Sequence, residues 1–141
     1  MSWLLDTCVI SEATKLLPNP RVLAWINAQE EATLYLSVIT LGELHKGVAK
    51  LPDSRKRREL TKWVNEELTE RFTGRILPVD EQVATVWGNL QAQADKSGKP
   101  LPTLDTFIAA TAQVHELTIV TRNTPHMRAS GVAIFDPWLN Q

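Results

Sequence analysis

Asp6, Glu43, Asp105 and Asn123 are the side chains whose types and placement suit chemistry on a charged substrate, although they lie far apart in the chain. Asp6 directly follows the short apolar run Trp3-Leu4-Leu5, and Asn123 follows Leu117-Thr118-Ile119-Val120. Glu43 falls in the first turn of the helical pattern after Leu34-Tyr35-Leu36-Ser37, and Asp105 opens the pattern that precedes Leu117. If the apolar runs are adjacent parallel strands, the four converge outside the carboxyl ends of the sheet, where open α/β sheets bind ligands. Three carboxylates gathered with few cations between them repel one another, so the arrangement is costly unless a cation fills it. All-oxygen ligation selects a hard ion such as Mg²⁺ or Mn²⁺, held at about 2.1 Å with several waters retained. Such an ion neutralises phosphate oxygens and acidifies a bound water, and two ions about 4 Å apart could clamp attacking and leaving oxygens. The chemistry implied is metal-assisted phosphodiester hydrolysis.

Each of these residues also fits a purely structural role. Thr40-Leu41-Gly42-Glu43 matches a capping box, in which the two polar side chains satisfy free N–H groups at a helix start. Asp105 is favoured near a helix N-terminus by the helix dipole. Asp6 can cap Val9-Ile10-Ser11, and Asn123 can serve a turn. Capping does not require all four to face one edge, so their joint placement weighs more than each member.

The elements that must position them alternate. Strands are expected at 3–5, 34–37, 75–79, 117–120 and 132–135, and helices at 21–28, 40–50, 54–72, 83–94 and 103–115. The strongest helical signal is Leu60, Trp63, Val64, Leu68 and Phe72, while Asp80 stands where an N-cap belongs. Strand–helix alternation predicts an α/β fold, a three-layer α/β/α sandwich around a mostly parallel central sheet. With 141 residues, 43% apolar and 22% charged, the chain is expected to be one domain over 1–141. One cysteine, Cys8, excludes an internal disulfide or a Cys-rich zinc site. The sequence shows neither a signal-peptide pattern nor a run long enough to span a bilayer, so a cytoplasmic protein is expected. The formal net charge of −1 argues against binding nucleic acid through bulk positive charge.

Three segments carry a resemblance. Leu4-Leu5-Asp6-Thr7-Cys8-Val9-Ile10-Ser11-Glu12, Ser37-Val38-Ile39-Thr40-Leu41-Gly42-Glu43-Leu44 and Asp105-Thr106-Phe107-Ile108-Ala109-Ala110-Thr111-Ala112 resemble the PIN-domain family. They are most similar to the VapC-type toxin ribonucleases of type II toxin–antitoxin pairs, especially the FitB-like branch, as are Val120-Thr121-Arg122-Asn123-Thr124 and 132–138. The resemblance implies a Mg²⁺-dependent endoribonuclease, with Mn²⁺ able to substitute, that hydrolyses single-stranded RNA through a metal-activated water. It places the family's three acidic ligands on Asp6, Glu43 and Asp105 and its fourth acidic position on Asn123, a neutral amide here. Some relatives carry an Asp at the place of His126, and most have Asn at the place of Cys8. Thr7 and Thr121 are implied as hydroxyls that support the site. The implied partners are a cognate antitoxin, RNA as substrate and operator DNA reached only through the antitoxin, with no membrane. The implied assembly is a homodimer or a toxin–antitoxin hetero-oligomer.

The neutral Asn123 leaves a second expectation open: a catalytically weak PIN-domain partner acting with its antitoxin as a DNA-binding regulator. An unrelated α/β phosphotransferase ranks last, since no Gly-rich phosphate loop is present. Arg55-Lys56-Arg57-Arg58 reads as a solvated helix face flanked by glutamates ahead of a phosphate contact, and His126 as a surface histidine ahead of a group acting on a leaving group. Lys46, three residues past Glu43, is the cation expected at the rim of the site. Trp25, Leu60, Trp63 and Leu68 are expected in the core, or alternatively in a groove that takes the antitoxin.

Overall fold

The computed structural model describes residues 1–139, so the expected 1–141 span is followed to Leu139, and Asn140 and Gln141 lie outside the described residues. Five strands, β1 (Trp3–Leu5), β2 (Leu34–Ser37), β3 (Ile76–Leu77), β4 (Thr118–Val120) and β5 (Ile134–Phe135), form one sheet in the order β3-β2-β1-β4-β5. Every pairing is parallel, with Leu4 opposite Tyr35 on one side and Ile119 on the other. The strand order reverses direction between β1 and β4, which opens a crevice at their carboxyl ends.

Alternation along the strands divides the interior into two layers. Leu5 and Val120 pack on one face with Val9, Val22, Leu44, Val64, Leu68 and Phe72. Leu4 and Ile119 pack on the other with Val83, Leu90, Ile108, Ala109 and Met127. The first layer is covered by α1 (Thr7–Glu12), α2 (Pro20–Ala28), α3 (Val38–Ala49) and a longer helical run. The second is covered by α6 (Glu81–Lys96), α7 (Thr103–Val114) and α8 (Thr124–Arg128). The expected α/β/α sandwich is therefore the one found. Among the described residues no helix is long and apolar enough to cross a membrane.

Local chemistry sets the helix starts. Asn19 Oδ1 accepts from the Arg21 and Val22 amides with Pro20 at the first position, and Asp80 Oδ1 accepts from the Val83 amide at 3.0 Å. The run expected at 54–72 is interrupted: α4 (Arg55–Lys62) passes into a π-helical segment at Trp63–Leu68 before α5 (Thr69–Arg71). Thr69 Oγ1 donates to the Val64 carbonyl five residues earlier, at 2.9 Å. The wider turn keeps Val64, Leu68 and Phe72 all in the core. Arg71 and Arg75 stack over the Phe72 ring and pair with Glu31, fastening this run to the start of β2.

Two expectations are corrected. The α3 helix begins at Val38, not Thr40, because Ser37 Oγ at the end of β2 already accepts from the Ile39 amide at 3.0 Å. No capping box forms; Thr40 lies buried inside the helix and Glu43 is released from any capping duty. The short α8 was not expected, since five residues containing Pro125 are too few to show a helical period.

Candidate metal centre

The crevice between β1 and β4 gathers all four residues singled out by their types. Asp6 ends β1, and its N–H donates to the Val120 carbonyl at 2.9 Å, continuing the β1–β4 pairing by one residue. Its carboxylate caps α1 by accepting from the Thr7 amide on Oδ1 at 2.8 Å. Oδ2 accepts from Thr121 Oγ1, also at 2.8 Å. The capping role of Asp6 is thus real, and it leaves oxygen lone pairs available for a ligand. Thr7 turns its own hydroxyl the other way and donates to Glu43 Oε1 at 2.6 Å, which joins α1 to α3.

The far side is built from α7 and the β4–α8 turn. Asp105 sits in the first turn of α7, whose start has no side-chain cap. Its Oδ2 accepts from Asn123 Nδ2 at 3.1 Å and lies 3.7 Å from His126 Nδ1. Asn123 is held in turn by its N–H, which donates to Thr121 Oγ1 at 2.9 Å. One chain of hydrogen bonds therefore links Glu43, Thr7, Asp6, Thr121, Asn123 and Asp105.

Electrostatics follow from this packing. Burial pushes the Asp6 carboxyl above the ordinary Asp value, against the opposing hydrogen bonds from Thr121, Thr7 and Cys8. Burial also raises Glu43, against the Thr7 bond, and the charges of Asp6 and Asp105 raise it further; Lys46 opposes them. Asp105 is raised by burial and then by Asp6, with His126 and Asn123 opposing. Glu43 and Asp105 therefore both sense the Asp6 charge, and Glu43 senses Asp105 as well. Cys8 Sγ lies 3.9 Å from Asp6 Oδ2, and burial with the Asp6 charge holds it as a thiol.

Carboxylates that repel in this way fit a hard cation, and the donor set is oxygen-rich. Among the described residues, no three His, Cys, Asp or Glu side chains close into a ready-made shell. Mg²⁺ does not require one, since it is commonly held by one or two carboxylates and keeps several waters. Asn123 presents its amide N–H to Asp105, so it stands first as a positioning group; the O/N assignment follows from the hydrogen-bond network.

Thr121→Val offers a test of this framework. It deletes the hydroxyl that serves both Asp6 and Asn123 while keeping the side-chain shape. A loss of about 1–3 kcal/mol is expected from the stranded buried partners, measured by urea unfolding.

A groove of about 270 Å³ leads away from Glu43 and Thr7 between α1, α3 and the α4–π run. Leu44, Val48, Leu60 and Trp63 make its apolar wall, and Lys15 and Lys56 stand on its rim. The expectation for the aromatic and aliphatic set thus divides. Leu60 and Trp63 line the groove, Leu68 is core, and Trp25 packs edge-on to Trp3 at 5.0 Å between centroids. Within the basic run, Arg55 pairs with Glu59 and Arg58 with Asp53 on the solvated face. Lys56 is the member that reaches the groove. Sequence reasoning read Lys56 as part of a solvated face and missed Lys15 and the proximity of His126 to Asp105; none has a spacing signal, because each depends on packing between elements.

The model of the PIN domain matches residues 3–131. The chain belongs to the PIN-domain family. Among relatives of this PIN domain, it is 43% identical over 135 residues to toxin FitB of Neisseria gonorrhoeae, covering 96% of this chain and 97% of FitB. It is 42% identical over 134 residues to VapC ribonuclease Y4jK of Sinorhizobium fredii, covering 95% and 96%. A solved structure of FitAB bound to an IR36 DNA fragment superposes with a TM-score of 0.93 at 40% identity, covering 99% of this chain and 97% of that one.

Proposed function

We propose that this PIN domain is the toxin of a type II toxin–antitoxin pair, an endoribonuclease that hydrolyses phosphodiester bonds of single-stranded RNA in the cytoplasm. The observation that carries the reading is the meeting of Asp6, Glu43 and Asp105 at the β1–β4 crevice, each raised by burial and two of them by a neighbour's charge. Asp6, Asp105 and Glu43 would hold a divalent cation, Mg²⁺ or Mn²⁺. Such an ion supplies neutralisation of phosphate charge and acidification of a water when bound. The chain's own residues do the rest. Thr7 and Thr121 fix the orientations of Glu43 and Asp6, and Asn123 fixes that of Asp105. Glu43 Oε2 carries no hydrogen bond among the described residues, so it is the carboxylate oxygen left open to a ligand.

The apolar groove running from Glu43 suits the cognate antitoxin, an amphipathic helix lying along Leu60 and Trp63 with acidic groups meeting Lys15 and Lys56. FitAB, the similar assembly solved with DNA, supports operator DNA as a partner reached through the antitoxin. A net charge of −1 gives this chain little bulk attraction to DNA of its own.

The neutral Asn123 and the absence of a closed shell among the described residues favour one competing reading, a catalytically weak partner in a DNA-binding regulator. One experiment separates them. Protein freed of antitoxin is incubated with a defined RNA pool, with Mg²⁺ or Mn²⁺ or with EDTA, and the cut ends are sequenced. Metal-dependent cuts at recurring positions are expected. Intact RNA with both ions would favour the weak partner.

A further inference from the structure

We propose that His126 contributes a nitrogen donor to the cation site and so tilts its preference from Mg²⁺ towards Mn²⁺ and other borderline divalent ions. The inference rests on the reading of the Asp6–Glu43–Asp105 cluster as a cation site. His126 lies in α8, three residues past Asn123, and its Nδ1 stands 3.7 Å from Asp105 Oδ2. The imidazole thus already faces the carboxylate as a polar partner, at a separation longer than a tight hydrogen bond. That separation lies between the two open to donors of one octahedral ion, so a small turn of the ring brings both onto the same ion. Ligands about 2.1 Å from a centre lie about 3.0 Å apart when adjacent and about 4.2 Å apart when opposite. The His126 side chain is 54% exposed, against 20% for Asp105, so the ring is free to turn while the carboxylate is held.

The chemistry of the neighbours gives the ring its importance. Asn123 presents its amide N–H to Asp105, so as placed it supplies no charge to an ion on that side. With Asp105 the one acid there, the imidazole is the next available lone pair. Mg²⁺ prefers oxygen ligands, whereas affinity for a site with a nitrogen donor rises from Mn²⁺ through Co²⁺ to Ni²⁺, and Zn²⁺ also takes imidazole readily. A site of oxygens plus one imidazole therefore gains little for Mg²⁺ and more for these ions.

The test reads the ligand directly. Mn²⁺ is added to the full chain, and electron spin-echo modulation is recorded for wild type, His126→Ala and His126→Asp. Calorimetric titrations with Mn²⁺ and Mg²⁺ run beside it, with Asp105→Asn as control. A nitrogen modulation that changes when histidine is labelled with ¹⁵N is expected in wild type and absent from both His126 variants. His126→Ala should weaken Mn²⁺ by about tenfold with little change for Mg²⁺, and His126→Asp should narrow the gap between the ions. If wild type binds both ions without histidine modulation and His126→Ala leaves their ratio unchanged, His126 is no ligand and the cation site stands without it. If Asp105→Asn binds both ions as wild type does, or wild type binds neither, the cation site itself is wrong and this inference falls with it. Circular dichroism confirms folding of all the variants; the two at His126 replace a side chain more than half exposed.

Discussion

Asp105→Asn should make the metal-free protein more stable at neutral pH while removing its ribonuclease activity. These opposite effects distinguish a cation site from an ordinary structural acid. Burial and then the Asp6 charge hold the Asp105 carboxyl above its ordinary value in the folded chain. A raised carboxyl holds its proton more tightly folded than unfolded. In strong acid both states are protonated and no penalty exists. As the pH climbs past the unfolded value of about 3.9, the unfolded chain ionises first and stability falls until the folded carboxyl ionises as well. Wild type and variant should therefore unfold alike near the acid end. By neutral pH in EDTA, the variant should melt a few degrees higher, because it carries no charge to repel Asp6. An Asn in this place can still accept from Asn123 Nδ2 through its own oxygen. Adding Mg²⁺ or Mn²⁺ should raise the melting temperature of wild type and not of the variant, since only a folded state that binds the ion gains from it. Cleavage should fall by at least about a hundredfold, the upper loss seen for groups that merely support a metal ligand. A variant less stable than wild type in EDTA at neutral pH, or still active, would overturn the assignment of Asp105.

The second large effect is expected from Trp138→Ala. Trp138 is 7% exposed and packs into the core layer that also holds Leu5 and Val120. Its amide donates to Asp136 Oδ1 at 2.8 Å, and the guanidinium of Arg122 lies over its ring, 4.6 Å from the centroid. Truncation should cost about 3–5 kcal/mol, seen as a lower urea midpoint with the slope unchanged. Arg122 stands between Thr121, which holds Asp6, and Asn123, which holds Asp105. The ring is therefore the floor on which the β4–α8 turn rests. Activity per folded molecule should fall as well, which separates this site from a core position remote from the crevice. Trp138→Phe, which keeps an aromatic face beneath Arg122, should recover most of both losses.

Much of this architecture is visible in the residue pattern, for physical reasons that can be named. Alternating short apolar runs and 3.6-residue periods can hardly belong to anything but a sandwiched parallel sheet, and Asp80 marks a helix start because its carboxylate is the residue type that start needs. The convergence of Asp6, Glu43, Asp105 and Asn123 is legible through one rule, that parallel strands end on a common edge. What escapes is whatever two competing local signals decide between them. Thr40 and Ser37 are both plausible caps, and Ser37 prevails because β2 delivers it first. The π-helical segment has no period of its own, and α8 is too short to show one. The groove and the meeting of His126 with Asp105 depend on how finished elements lie against each other, which spacing along the chain does not encode.

The hydrogen bond from Thr121 to Asp6 joins residues 115 positions apart, and it has a consequence for timing. A nascent chain that has left the ribosome only as far as α6 carries Asp6 and Glu43 but not Asp105, Thr121 or Asn123. The crevice does not exist until β4 inserts beside β1. At about 5–20 residues per second, the growing polypeptide passes several seconds at least without an assembled crevice. An inhibitor directed at the crevice has no complete target before β4 has emerged.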